Sequence, residues 1–182
     1  MKKLTLLITC LFLSIISLKA QNDSVDIDGR IQPYLQDFLS YCDAYGIEYQ
    51  DKLFQLKSIK IVNDLPLEES NTVLGKVLRD EKGNIDSIVF NWATLLDKEI
   101  LQVVAFHEFA HHFLDYKHTC RDCNEIMAET NVSYFDIIRD WDNQVSFLFE
   151  TSPAYLNQHP EESIAVAQNK TKSLAKSKGF RP

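Results

Sequence analysis

The residues best suited to chemistry lie close together near the middle of the chain. Four of the five histidines, His107, His111, His112 and His118, fall within twelve residues, and residues 107–111 read HEFAH, an HExxH motif. On a helix, histidines four residues apart share one face and lie about 6 Å apart along the axis. Both imidazoles can therefore reach one ion, and neutral imidazole is a good zinc ligand. The motif predicts a site for one zinc ion held by His107 and His111.

The glutamate of this motif supplies the second component of a hydrolytic site. Glu108 follows the first histidine directly, so its carboxylate would lie beside the ion without needing to bind it. Zinc lowers the pKa of a bound water to about 7, and a neighbouring carboxylate can accept the proton that this water gives up. Glu108 is therefore the predicted general base.

Zinc in a hydrolytic site needs a third protein ligand, and His118 is the nearest candidate. On a continuous helix it would lie about 16 Å from His107 along the axis, too far to share an ion. The helix must therefore end near Asp115 and the chain must turn back. Asp tolerates the left-handed conformation that such a turn requires better than most residues other than glycine.

The segment HEFAHHFLDYKH, followed by Ile126-Met127, resembles the metzincin arrangement of HExxHxxGxxH and a later Met-turn. It is most similar to small secreted bacterial metallopeptidases that have the one-residue-longer spacing HExxHxxLxxxH. The resemblance covers, more loosely, residues 31–149. It implies that His107, His111 and His118 bind zinc, that Glu108 is the base, and that Met127 packs beneath the metal. Leu114 and Asp115 stand where the turn glycine of metzincins would be.

Three other interpretations remain open. The segment NEIMAE, residues 124–129, resembles part of the thermolysin-like gluzincins, which would make Glu125 the third ligand and Glu129 the partner of a ligand histidine. Alternatively, the protein binds zinc, or interacts with a partner, without catalysing a reaction. A metal-free core containing two hydrogen-bonded histidines would give the same motif. His112, one residue from His111, points away from the metal face, and His159 has no predicted role.

Residues 1–20 have the features of a secretory signal peptide: Lys2 and Lys3, an apolar run too short for a spanning helix, and Ala20 at the end. They predict a secreted or periplasmic protein without stable membrane insertion. The formal net charge is −7, and removing these residues would make the chain more acidic, which argues against nucleic-acid binding. The C-terminal residues 169–182 are basic and are predicted to be a solvated tail.

Three cysteines would remain after cleavage, so not all of them can pair within the chain. Cys120 and Cys123 are close enough in sequence to form a local disulfide in an oxidising compartment. Cys42 falls on the apolar face of a predicted helix and is expected to be a buried free thiol.

The predicted elements form one α+β domain, residues 21–168. Apolar spacing predicts a helix from Ile31 to Tyr45, and alternation predicts a strand over residues 53–62. A β-hairpin follows, with strands at 73–79 and 85–91, and Ile85–Asn91 is the expected edge strand for binding an extended peptide. Three helices follow at 97–115, 131–149 and 161–176, of which the first is buried and carries the histidines.

Together these observations predict a zinc metallopeptidase of metzincin-like fold. A short antiparallel or mixed sheet would pack on the central helix, and a peptide or protein would be the substrate. The base would act on a zinc-bound water.

Overall fold

The computed structural model describes residues 24–63, 65, 67–68 and 71–161. Within these residues the chain has an α+β architecture, with six α-helices and a small mixed sheet. The helices are α1 (Gln32–Ala44), α2 (Gln50–Gln55), α3 (Lys98–Phe113), α4 (Tyr134–Arg139), α5 (Trp141–Glu150) and α6 (Pro153–Gln158). The strands are β1 (Asp26–Ile27), β2 (Ser58–Val62), β3 (Leu67–Glu68), β4 (Asn71–Thr72), β5 (Gly75–Arg79), β6 (Ile85–Asn91), β7 (Cys120–Cys123) and β8 (Ala128–Asn131).

Several sequence predictions concern other parts of the chain. The signal peptide at 1–20 and the basic tail at 169–182 lie outside the described residues, as does nearly all of the helix predicted at 161–176. None of the helices that the structure describes is long and apolar enough to cross a membrane.

The main sheet has the strand order β1-β2-β6-β5. The first two pairings are parallel, and the β5/β6 pairing is the predicted antiparallel hairpin, with Gly83 at φ 85° in its turn. The prediction that Ile85–Asn91 forms the edge strand is wrong. Residues 88–91 are all buried because this strand lies between two others, and such a continuous buried run is typical of a central strand. The edge strands are β1 and β5, and β5 is the one whose Gly75 lies against Glu108.

The central helix α3 begins at a side-chain cap. Asp97 accepts hydrogen bonds from the backbone N–H groups of Glu99 and Ile100, at 2.8 and 3.3 Å. From Leu101 to Phe113 most of the helix is buried, as its nearly continuous apolar sequence predicts. On one side, α1 packs Phe38 against Phe106, Phe109 and Phe113, with ring centroids 5.2–5.8 Å apart. The helix that carries the histidines is therefore fixed along its length by the core.

The strand predicted for residues 53–62 is wrong in its first half. Residues 50–55 form the short helix α2, and only Ser58–Val62 pairs as a strand, parallel to the central β6. The alternation that suggested one long strand included Phe54, whose residue surface is 70% exposed. An apolar residue that stays on the surface contributes to a sequence pattern without contributing to the core.

The single helix predicted over residues 131–149 is also wrong. The segment contains the end of strand β8 and two helices, α4 and α5, separated at Asp140. Ser133 starts α4 by accepting a hydrogen bond from the N–H of Asp136, so a local cap ends the preceding strand and begins a new helix. Phe135, which the pattern placed on the buried face, is 62% exposed.

The cysteines follow the expectation from the sequence. Cys120 and Cys123 form a disulfide, and Cys42 is a free thiol with no exposed surface. Burial raises the pKa of Cys42 to about 12, so this thiol stays protonated and unreactive. The disulfide lies in β7, which pairs in parallel with β8 and closes the loop that follows the central helix.

Candidate metal centre

The chain reverses direction at the end of α3, as the distance between the histidines requires. The helix ends at Phe113, and Asp115 adopts the left-handed conformation with φ 56°. Among the described residues it is the one non-glycine residue with positive φ. The N–H groups of Leu114 and Tyr116 both donate to the carbonyl oxygen of Ala110, at 3.1 and 3.2 Å. The turn predicted at Asp115 is therefore confirmed.

Lys52 on α2 stabilises this turn, a role that the sequence analysis missed. Its ammonium donates to the carbonyl oxygen of Phe113 at 3.2 Å and pairs with the carboxylate of Asp115 at 2.7 Å. In return, the ring of His112 donates to the carbonyl oxygen of Lys52 at 2.8 Å. A positive charge at a helix C-terminus is favourable, and here it satisfies one of the last carbonyl groups. His112 is thus a buried structural residue that ties α3 to α2.

The turn brings three imidazole rings together. The Nε2 atom of His107 lies 3.1 Å from that of His111 and 3.3 Å from that of His118. Ligand nitrogens at 2.0–2.1 Å from a tetrahedral zinc ion lie about 3.3 Å apart. The spacing of the three nitrogens therefore fits one metal ion.

Backbone carbonyl groups fix the tautomers of two of these rings. The Nδ1 atom of His107 donates to the carbonyl oxygen of Ile126 at 2.7 Å, and that of His111 donates to Tyr116 at 2.8 Å. A carbonyl oxygen can only accept, so Nδ1 carries the proton and Nε2 presents a lone pair. Two lone pairs that face each other at 3.1 Å repel unless a cation lies between them. This arrangement is the one that metal-binding histidines adopt.

The electrostatic environment keeps the rings neutral. Burial lowers the pKa of His107 to about 4, and the proximity of His111 and His118 adds to the effect. Burial likewise lowers the pKa of His111. Neutral imidazole is the form that binds metal, so protons compete weakly for these two rings at neutral pH.

Glu108 lies in the same region, directly against the edge strand. It is 5% exposed, and a Cβ atom built on Gly75 would lie 2.6 Å from its Cγ and Oε1 atoms. Only glycine at position 75 therefore leaves room for this side chain. Burial raises the pKa of Glu108 to about 8. Gly75 was not among the predicted site residues, although a glycine within a strand often indicates a close approach of this kind.

A cleft of about 500 Å³ contains these groups. Its lining includes His107, Glu108, His111 and His118. One side is formed by residues 73–77, which lead into β5 and form its first part, and the other by residues 128–131 of β8. Within the described residues no strand pairs with the outer edge of β5. Backbone hydrogen-bonding groups along this edge are therefore available next to the histidines.

The remaining predicted residues occupy different places. Ile126, whose carbonyl oxygen holds His107, and Met127 are both buried, with 2% and 1% of their surface exposed. Glu125 accepts a hydrogen bond from Thr119 at 2.7 Å and lies with Cys120 and Cys123 rather than with the three histidines. Glu129 lines the cleft. His159 stacks on Tyr155, away from the cluster.

In the described part of the chain, two groups of side chains have the spacing of metal ligands. One is the histidine cluster. The other contains the two disulfide-bonded cysteines and Glu125, and a disulfide sulfur is not a thiolate ligand. The histidine cluster is consequently the group with the donor chemistry for a metal ion.

Comparison of the chain with protein-family models, with curated protein sequences and with solved structures returned no match.

Proposed function

We propose that the protein is a secreted or periplasmic, metzincin-like metallopeptidase that binds one zinc ion through His107, His111 and His118. The observation that carries the proposal is the convergence of three Nε2 atoms at 3.1–3.3 Å beside a buried carboxylate in an open cleft. Three protein ligands leave the fourth position of a tetrahedral ion free, as in catalytic zinc sites. A purely structural site would be closed by four protein groups.

When bound, zinc supplies a positive charge that lowers the pKa of water and of a nearby carboxyl group and that polarises the scissile carbonyl. Glu108 then accepts the proton of the attacking water on a carboxylate oxygen and delivers it to the departing amine nitrogen. Its burial, with 5% of the residue surface exposed, limits the contact of bulk water with this proton transfer. Gly75 positions the carboxylate by leaving it room.

The edge strand β5 gives the substrate a binding surface. An extended peptide can pair with the free edge through main-chain hydrogen bonds, which place its side chains alternately toward and away from the cleft. Because Gly75 contacts Glu108, a peptide aligned on this strand passes the base and the histidines. Main-chain pairing is independent of side-chain identity, so it suits a peptidase.

Metal removal tests the proposal. The purified protein should bind one equivalent of Zn²⁺, and a chelator should abolish cleavage of an unfolded protein substrate until zinc is restored. At a free zinc concentration of 100 times the dissociation constant, binding should raise the free energy of unfolding by about 2.7 kcal/mol. One equivalent of tightly bound zinc with no cleavage of any peptide in a diverse mixture would instead favour a non-catalytic zinc protein.

Replacing Gly75 with Ala should reduce hydrolysis by roughly 10- to 100-fold, because the new methyl group displaces the Glu108 carboxylate, and displacements of about 1 Å have effects of this size. Zinc affinity should stay unchanged, since the three atoms nearest the new methyl group all belong to Glu108 and none to a histidine. Gly29→Ala is the matched control, because a Cβ at that position meets nothing within 4 Å. Equal losses of zinc binding and hydrolysis in Gly75→Ala would contradict a positioning role.

A further inference from the structure

A second, smaller cavity adjoins the histidine cluster. Its volume is about 310 Å³, and it shares Val77, His111 and His118 with the larger cleft. Ile85 forms more of its apolar lining, and two cationic side chains, Arg79 and Lys117, reach it. No acidic residue is among the described residues that line it. The cavity is therefore positively charged in a chain whose formal net charge is −7.

The acidic residues next to these cations in sequence are engaged elsewhere. Asp80, which follows Arg79, accepts hydrogen bonds from the backbone N–H groups of Lys82 and Asn84 in the hairpin turn, both at 2.9 Å. Asp115, two residues before Lys117, pairs with Lys52 at 2.7 Å. Among the described residues, neither Arg79 nor Lys117 lies within 4.0 Å of a carboxylate oxygen.

The guanidinium of Arg79 is also held in place. Its Nη1 atom donates to the carbonyl oxygen of Gly83 at 2.8 Å, which uses one of its five N–H donors. The remaining donors are available for a ligand. Lys117 lies between Tyr116 and His118 in the sequence. The carbonyl oxygen of Tyr116 accepts the hydrogen bond from His111. Both cations are thus attached to elements that form the metal centre.

Strand β5 runs from the base to this cavity. Gly75 contacts Glu108, and Arg79 lies four residues further on, about 13 Å along an extended strand. On β5 the cavity is lined by Val77 and Arg79, so a peptide paired with this strand would present a side chain to it two to four residues from the bond beside Glu108. The apolar walls can pack against the stem of such a side chain while the cations face its end.

We infer that this cavity is a specificity subsite that binds a carboxylate of the substrate, two to four residues from the cleaved bond, through Arg79 and Lys117. The inference rests on the proposed peptidase function. The carboxylate can belong to an Asp or Glu side chain or to the C-terminus of a short peptide. Charge-assisted hydrogen bonds from arginine and lysine to carboxylates are among the stronger polar contacts in proteins.

A digest of a diverse peptide mixture by the zinc-loaded protein tests this inference. Mass spectrometry of the products should show Asp or Glu enriched at one position two to four residues from the cleaved bond. Peptides with a free or an amidated C-terminus near that bond distinguish the side-chain source from the terminal one. The double variant Arg79→Gln/Lys117→Gln should reduce the preference for acidic over neutral peptides about tenfold, and Arg79→Glu/Lys117→Glu should reverse it toward basic residues.

Lys82→Gln is the matched control, because it removes a positive charge from the same hairpin outside the cavity. It should leave the preference unchanged. The inference would be overturned if the wild-type digest showed no enrichment of acidic residues and the double variant gave the same cleavage profile. This result would leave the peptidase proposal intact.

A binding measurement keeps the two proposals separate. In zinc-loaded Glu108→Gln protein, fluorescence anisotropy should show that a peptide with Asp or Glu binds about tenfold more tightly than the same peptide with Asn or Gln at that position. Adding Arg79→Gln/Lys117→Gln should remove the difference. This binding measurement applies even if the wild-type protein cleaves no peptide. Absence of cleavage by the wild type would contradict the peptidase proposal alone. Equal binding of the two peptides would overturn the subsite. This holds whether or not the cavity binds inorganic phosphate.

Discussion

Glu108→Gln protein should bind zinc as tightly as the wild type and hydrolyse peptides about 10²- to 10⁴-fold more slowly. The amide has the size and shape of the carboxyl group, so the three histidines and Gly75 keep their surroundings. It has no basic oxygen that can take the proton of the attacking water. The rate constant for cleavage of a fluorogenic peptide and the zinc affinity, measured on the same preparation, give the two results.

The metal-free variant should be at least as stable as the wild type at neutral pH. Burial raises the pKa of Glu108 to about 8, which means that the charged form is unfavourable in this place, and Gln carries no charge. Thermal unfolding therefore separates a catalytic defect from a folding defect. Glu99→Gln, the same chemical change in the exposed first turn of α3, is the control. Hydrolysis within tenfold of the wild-type rate in Glu108→Gln would exclude this residue as the base.

His118→Ala should weaken zinc binding by at least about 100-fold, whereas Glu125→Ala should change it by no more than a few fold. Losing a group that only orients a ligand typically costs 10- to 100-fold in affinity, and losing a ligand should cost more. The expectation follows from geometry: the Nε2 atom of His118 lies 3.3 Å from that of His107, while Glu125 is hydrogen-bonded to Thr119. Competition with a chromophoric chelator measures both affinities.

His118 is exposed, so its replacement should leave the metal-free fold and its unfolding temperature nearly unchanged. The comparison therefore reports on metal binding alone. A larger loss of zinc affinity in Glu125→Ala than in His118→Ala would assign the third ligand to Glu125, as the gluzincin-like interpretation of the sequence requires.

The parts of the site that depend on local sequence could be predicted. The histidine spacing within a helix and the turn at Asp115 both follow from short-range rules of helix geometry and backbone conformation. The hairpin followed from its glycine-containing turn. Each of these features is determined by a few neighbouring residues, and each appears in the structure.

Two features that were not predicted, the position of β6 in the sheet and the role of Lys52, depend on residues far apart in sequence. The order of the strands decides which strand is at the edge, and β6 is central because β2, whose residues lie 29 positions earlier than their partners, pairs with it in parallel. The contacts of Lys52 with Phe113 and Asp115 likewise span about sixty residues. Local periodicity contains no information on such pairings. The buried run 88–91 and the glycine at position 75 were nevertheless usable signals.

The carbonyl groups of Tyr116 and Ile126 that hold the two histidine rings belong to the main chain. Every residue offers the same carbonyl oxygen, so the orientation of the two rings depends on the path of the main chain and not on the side chains of Tyr116 and Ile126 themselves. The β7/β8 pairing and the disulfide at Cys120 and Cys123 maintain that path. A substitution in this segment should therefore affect the two histidine rings only where it changes the path of the main chain, as loss of the disulfide or of the turn at Asp115 would.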